Sequence, residues 1–365
     1  LILNYTKNRI IHEWSKQKKI LISTGGTGGH VFPALSLGKF LSNKNFLVTI
    51  TTDKRGYKFL KNYKQIEIKI INSSPISFSG PIKFFLVFIK MSLAFFRSIF
   101  FLIKLKPKII FGMGGYASFP VCLAAWLLKI PFVIYESNLV LGKANKYLSP
   151  FSKKILVSYS QLIGIKNKYT KKTVEIGSII NDEIFNFKKN YEFKNNTNIK
   201  ILVLGGSQAA KTFGEKLPQI FEECKKFNIK LKVYQQCLSN QNFFLEKKYK
   251  SLGIEFELFN FSKDLLKYFS EVHFAITRSG SSITAELVNS RIPFIAIPFP
   301  FAAENHQLKN AQYFEKKGFG FLVEENDIDT KLFPLIKMIY KDMNLLSIMS
   351  EKQKKHTDKD VYKKI

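Results

Sequence analysis

The stretch "ILISTGGTGGHVFPALSLGKFL" (residues 20–41) decides the fold. A short β-branched and apolar run ends in a glycine turn, and an apolar segment of helical period follows, with Pro33 as its expected opening. Strand, tight turn and helix together form the first half of a parallel βαβ unit. Glycine has no Cβ, so its backbone takes positive φ readily and its N–H can approach an anion closely. A helix starting just beyond adds partial positive charge. Gly25, Gly26, Thr27, Gly28 and Gly29 therefore suit a diphosphate or a sugar phosphate, with His30 at the tip of the turn. The spacing is not a P-loop, and it fits the dinucleotide fingerprint poorly.

The same grammar recurs. Strands are expected at residues 19–23, 47–51, 109–111, 132–135 and 155–158, then at 201–204, 231–234, 256–259, 273–277 and 294–297. The second series opens with "ILVLGGSQAAKTFGEKLPQIF" (201–221), a counterpart of the first stretch. Residues 181–198, rich in Asn and Lys and without period, read as a linker. The expected class is α/β, with two Rossmann-like doubly wound domains facing across a cleft. The first covers 1–180, with 1–18 as a possible extension, and the second 181–340. A helical tail, 341–365, is expected to pack back on the first domain. Ligands of such sheets sit beyond the carboxyl ends of the strands. Two further glycine turns lie there, "FGMGGYASFP" (111–120) and "TRSGSSITAEL" (277–287).

A chain of 365 residues that is 46% hydrophobic can bury a large core, which excludes disorder. Its three cysteines show no ligand or disulfide spacing, so a reducing compartment fits best and no zinc site is indicated. No secretory signal is readable. A net charge of +30 favours nucleic acid, an acidic membrane leaflet or phosphate-bearing substrates, or is simply a solvated lysine-rich surface.

Together "GGTGGHVFPAL", "GMGGYASFPVCLAAWLLKIPFVIYESN", "LVLGGSQAA", "RSGSSITAEL" and "PFPFAAENHQLKNA" resemble, in order from about residue 19 to 325, the MurG family of N-acetylglucosaminyltransferases. The resemblance implies a GT-B fold and inverting transfer of N-acetylglucosamine. The donor would be UDP-N-acetylglucosamine and the acceptor the 4-hydroxyl of undecaprenyl-linked muramyl-pentapeptide, making lipid II for peptidoglycan. It further implies a peripheral enzyme on the cytoplasmic face of the bacterial inner membrane. Gly25, Gly26, Gly114, Gly115 and Tyr116 would face the acceptor diphosphate. Thr27, Gly28, Gly29 and Asn138 would border the donor sugar, and Ser207, Glu286 and Gln307 would contact the donor, Glu286 through the ribose hydroxyls.

Physical chemistry adds to these roles. A carboxylate such as Glu286 can accept two hydroxyl hydrogen bonds, or can be a helix-surface glutamate favoured by the dipole. Arg278 either neutralises the departing diphosphate or pairs with a carboxylate. Transfer needs a base for the acceptor hydroxyl; His30 is the best placed histidine, with Glu136 as a competing carboxylate. Helix capping or anion binding is the alternative for His30. His12, His273 and His356 read as structural or solvated, and His306 as shaping the donor pocket. No Asp-x-Asp pair stands at a strand end to chelate a metal diphosphate, so neither a metal nor a cofactor is expected, and helix N-termini and Arg278 would offset the leaving-group charge. Three positions depart from the family pattern: Asn181 replaces a usual arginine, "YESN" carries Tyr135 and Ser137, and Ser262 replaces an isoleucine near the uracil.

Between Gly80 and Pro107 the chain is Phe-rich, yet Lys83, Lys90, Arg97 and Lys104 recur every seven residues. On a helix these form one narrow stripe. Spanning a bilayer would put Lys90 and Arg97 near its middle at about 2.5–3.5 kcal/mol each, so a transmembrane helix is disfavoured. The segment reads as an interfacial helix on an anionic membrane surface, or as a packed helix with its stripe in water. Rival functions are a diacylglycerol glycosyltransferase, a non-catalytic lipid scaffold and a nucleic-acid-binding protein. No nucleic-acid-binding module is recognisable, and nucleic acid is not an expected partner.

Overall fold

The structure, a computed structural model, describes residues 18–63, 65–73, 81–187, 198–260, 262 and 264–365, with backbone alone at 81–84 and 207–210. Residues 1–17 of the expected extension and 188–197 of the candidate linker lie outside the described residues. Two compact units divide the chain: the first runs to Asn181 and takes in Asp360–Ile365, and the second is Asp182–Lys359.

The first unit carries strands β1 (Lys19–Ser23), β2 (Leu47–Thr52), β3 (Glu67–Ile70), β4 (Ile109–Gly112), β5 (Phe132–Glu136), β6 (Ile155–Val157) and β7 (Thr173–Glu175). Its helices are α1 (Gly28–Asn43), α2 (Lys54–Leu60), α3 (Pro81–Leu105), α4 (Ser118–Leu127) and α5 (Lys143–Leu148). The sheet is parallel in the order β3-β2-β1-β4-β5-β6-β7. Its central strands are buried on both faces, as Leu21, Ile22, Ile50, Ile110 and Ile134 show, which is why they read as continuous apolar runs.

The second unit carries β8 (Ile199–Leu204), β9 (Leu231–Gln236), β10 (Glu255–Phe259), β11 (Phe274–Thr277), β12 (Phe294–Ala296) and β13 (Gly320–Leu322) in the parallel order β10-β9-β8-β11-β12-β13. Its α-helices are α6 (Asp182–Asn186), α7 (Gly206–Lys226), α8 (Asn242–Leu252), α9 (Leu266–Phe269), α10 (Ser281–Asn289), α11 (His306–Lys317), α12 (Phe333–Lys341) and α13 (Asn344–Lys354). Both units are thus doubly wound α/β sheets.

Two expectations need correction. Helix α1 begins at Gly28, so Pro33 lies inside it; extended backbone at Thr27 sets the start, and Pro33 costs one hydrogen bond because it has no N–H to reach the Gly29 carbonyl. The tail also divides. Tyr362 stacks on Phe40 and donates to the Ile180 carbonyl within the first unit. Helix α13 instead belongs to the second unit, where Gln353 donates to the carbonyls of Ile292 and Phe319 and Ser350 to that of Arg291.

Candidate functional site

In each sheet the winding reverses between two central strands, and there the loops after both strands adjoin. In the first unit the reversal falls between β1 and β4, with Ser23 opposite Gly112. The turns at residues 24–29 and 113–117 are therefore neighbours. A Cβ on Gly25 would lie 2.5 Å from the Ala117 Cβ, and one on Gly115 2.8 Å from the Gly25 carbonyl oxygen. Gly114 and Gly115 take φ of +86° and +75°. A Cβ on Gly114 would meet the His30 ring at 2.9 Å, at both Cε1 and Nδ1. Bare backbone is what lets the imidazole of His30, half-buried in the first turn of α1, rest against the second glycine turn. Thr27 is exposed, while Gly28, Gly29 and Tyr116 are partly open to solvent.

Asp53, which sequence reasoning missed, holds the first turn in place. Its buried carboxylate accepts from the Gly26 N–H at 3.0 Å, caps α2 through the Gly56 N–H at 2.8 Å and pairs with Arg55. Burial alone would raise its pKa, but the two amides and the Arg55 guanidinium hold it below the usual value.

Glu136 is fully enclosed and accepts four hydrogen bonds, from the Asn138 N–H and Nδ2, the Gly142 N–H and Asn145 Nδ2. Such a carboxylate organises its loop and fixes Asn138. Tyr135 carries a bracing hydroxyl: it shares a 2.7 Å hydrogen bond with Ser158 and accepts from the Ile179 N–H.

In the second unit the reversal falls between β8 and β11, with Leu204 opposite Thr277. The third and fourth glycine turns meet there. Gly206 has φ +63° and donates to Gln236 Oε1. Ser207 heads α7 in the backbone, and its side chain lies outside the described residues. The fourth turn interlocks with the segment 297–310: Asn310 donates to the Ser279 carbonyl, and Gln307 Oε1 accepts from the Phe299 N–H. Glu304 and Asn305 both take left-handed backbone at the start of α11, a conformation that concentrates at functional turns. His306 Nδ1 lies 2.7 Å from the Ala303 carbonyl oxygen, which ties it to this turn.

Arg278 lies within this framework and not at the open face. It is buried, bonds the carbonyls of Ile297 and Pro298, pairs with Glu325 and stacks over Phe213. Of its two readings, the carboxylate pair is the one present. Glu286 stands in the second turn of α10. Its side chain keeps some solvent contact, no described hydrogen bond meets its carboxylate, and the surrounding protein pushes its pKa up to about 7.

Helix α3 packs on α4 through Ala94, Ser98 and Leu102, all buried. At about 100° per residue, Phe85, Ile89, Leu93, Phe96, Phe100 and Ile103 fall on the opposite face. These side chains are exposed, Phe85 by 62% and Phe100 by 73%. Lys90, Arg97 and Lys104 run along one flank between the two faces; the side chain of Lys83 lies outside the described residues. Phe85–Leu105 is long and apolar enough to cross a bilayer, yet its packed face makes it part of the folded unit. Trp126 and Leu127 at the end of α4 are also exposed.

Residues 20–157 match the model of the glycosyltransferase family 28 N-terminal domain, and residues 200–365 that of the family 28 C-terminal domain. Two relatives, from Pelagibacter ubique and Rickettsia canadensis, are named UDP-N-acetylglucosamine–N-acetylmuramyl-(pentapeptide) pyrophosphoryl-undecaprenol N-acetylglucosamine transferase. The first is 40% identical over 86% of this chain and 86% of its own length. The second is 34% identical over 85% and 87%. The crystal structure of MurG from Acinetobacter baumannii shares the fold, with a TM-score of 0.74, 24% identity and coverage of 95% of this chain and 97% of its own.

Proposed function

The chain belongs to glycosyltransferase family 28, and from that membership we propose that it transfers N-acetylglucosamine from UDP-N-acetylglucosamine to the 4-hydroxyl of undecaprenyl-linked muramyl-pentapeptide. The names of its relatives support this reading. The single observation that carries it is the His30 ring resting on Gly114, at the winding reversal of the first sheet.

In this reading the turns of Gly25–Gly29 and Gly114–Tyr116 receive the acceptor diphosphate on their N–H groups. His30 takes the proton from the 4-hydroxyl as that oxygen bonds to the anomeric carbon. The bond from the anomeric carbon to the phosphate oxygen breaks on the opposite side, so configuration inverts and UDP leaves. Asn138, fixed by Glu136, borders the donor sugar with Thr27, Gly28 and Gly29. Glu286 accepts from the ribose hydroxyls, and Ser207 and Gln307 contact the donor. Because Arg278 is engaged with Glu325, helix N-terminal amides carry the stabilisation of the leaving diphosphate. Helix α3 lies along the cytoplasmic face of the bacterial inner membrane, its apolar ridge in the acyl boundary and its cations at anionic headgroups.

UDP release from UDP-N-acetylglucosamine tests the proposal. Release should depend on the muramyl lipid and not on diacylglycerol; release with diacylglycerol alone would transfer the chain to a different acceptor class.

A further inference from the structure

Asp53 does more than hold the first glycine turn. Its carboxylate lies directly behind that turn: it accepts from the Gly26 N–H at 3.0 Å, and a Cβ on Gly25 would stand 3.2 Å from its Oδ1. Gly26, at φ +85°, thus spends its N–H inward and has no amide left for a substrate. On its outer side is Arg55, whose Nη2 would be 3.7 Å from a Cβ on Gly26 and is the one group within 4 Å of it among the described residues. The guanidinium donates through Nε to Asp53 Oδ2 at 2.9 Å and sets Nη2 2.8 Å from the same oxygen. Its remaining N–H groups meet no acceptor among the described residues. The Arg55 side chain is 53% exposed, against 4% for Asp53. An ion pair this open adds little to stability, and two backbone amides already hold the carboxylate, so the fold gains little by keeping a cation here. A diphosphate entering the turn, however, meets a buried negative charge behind the glycines unless a cation stands at the mouth.

We propose that Arg55 is a binding residue for the acceptor diphosphate, its unused N–H edge donating to a phosphate oxygen beside Gly26, and that Asp53 is the positioning residue that aims it. A planar guanidinium suits both tasks, because one edge grips the carboxylate while another grips a phosphate; a lysine ammonium has no second edge. Asp53 thereby ties the shape of the turn to its charge, since the same carboxylate fixes Gly26 and orients the cation. The inference rests on the assignment of the Gly25–Gly29 turn to the acceptor.

Steady-state kinetics of UDP release with the muramyl lipid separate these roles. Arg55→Ala should raise the acceptor KM by about 10-fold, the low end for a charge-assisted hydrogen bond because the guanidinium is half exposed, while kcat and donor KM stay within ~2-fold. Lys58→Ala, the same loss of charge one turn along α2, should leave the acceptor KM within ~2-fold. Arg55→Lys keeps a cation beside Asp53, which protects the fold if Arg55→Ala is unstable, and should recover the acceptor KM only in part. Asp53→Asn should raise the acceptor KM in the unaltered background and by less in the Arg55→Ala background, because part of its effect passes through the guanidinium. Equal effects in the two backgrounds would make Asp53 a structural prop and remove its positioning role. Geranyl diphosphate, a probe of the diphosphate alone, should bind the full chain more tightly than geranyl phosphate, and Arg55→Ala should erase most of that difference. Equal acceptor KM values for Arg55→Ala and Lys58→Ala would overturn the proposal. A loss confined to kcat would overturn it too, as would a matching rise in donor KM, which would give the guanidinium to the donor. If the unaltered chain released no UDP with the muramyl lipid yet bound geranyl diphosphate through Arg55, the transferase reading would fail and the diphosphate site would stand.

Discussion

Replacing Glu286 by glutamine should make the ligand-free protein more stable and its donor binding worse. The carboxyl sits where protein has displaced most of its water and no described donor compensates, which lifts its pKa from 4.5 to about 7. At about 1.36 kcal/mol per pKa unit, holding it ionised in the fold costs roughly 3 kcal/mol, an upper bound because some solvent reaches it. The sign follows from the raised folded value. The penalty is absent below the unfolded pKa, grows between pH 4.5 and about 7, and is complete above that. Glu286→Gln should therefore raise the thermal midpoint at about pH 8, by ~2–4 °C for each kcal/mol recovered, and leave it unchanged at about pH 4. In the proposed donor site the same change would remove a charged acceptor from the ribose hydroxyls, worth about 1.5–3 kcal/mol, or ~10- to 100-fold in the dissociation constant for UDP-N-acetylglucosamine. Donor affinity of the unaltered protein should weaken as pH falls below about 7, since the protonated carboxyl accepts less well. Differential scanning fluorimetry and calorimetric titration measure both quantities. A variant less stable at alkaline pH, or one with unchanged donor affinity, would refute the reasoning.

Gly114→Ala should displace the His30 ring and strain a left-handed residue, destabilising the first unit by about 1–3 kcal/mol and lowering kcat more than it raises donor KM; steady-state kinetics and melting check this. Arg278→Ala leaves Glu325 half-enclosed without its partner and should cost about 3–5 kcal/mol in chemical denaturation, as a structural residue would. Replacing Phe96 and Phe100 by serine should leave the melting temperature unchanged, because both are exposed, while reducing sedimentation with anionic vesicles by at least ~10-fold.

The central strands were legible because a buried parallel strand must be apolar on both faces, as in "ILIS" of β1 and "ILVL" of β8. The three strands that the sequence reading omitted are β3, β7 and β13, and all lie at sheet edges. Glu67–Ile70 is almost wholly solvated, and Thr173–Glu175 and Gly320–Leu322 have three residues each, so neither periodicity nor hydrophobicity marks them. The four glycine turns were legible as turns, and their meeting in pairs follows from strand order, which no local pattern carries. Asp53 had one local signal, an acidic N-cap three residues before Gly56; its grip on Gly26 bridges 27 residues and was invisible. The partner of Arg278 lies 47 residues away, so a buried pair could not be told from a phosphate ligand.

The proposed transfer depends most directly on His30 as the proton acceptor between two glycine turns. Turnover of the His30→Ala variant, followed as UDP release with the lipid-linked muramyl-pentapeptide as acceptor, should fall by ~10²- to 10⁴-fold while the donor dissociation constant stays within a few-fold. Turnover near that of the unaltered protein would contradict it.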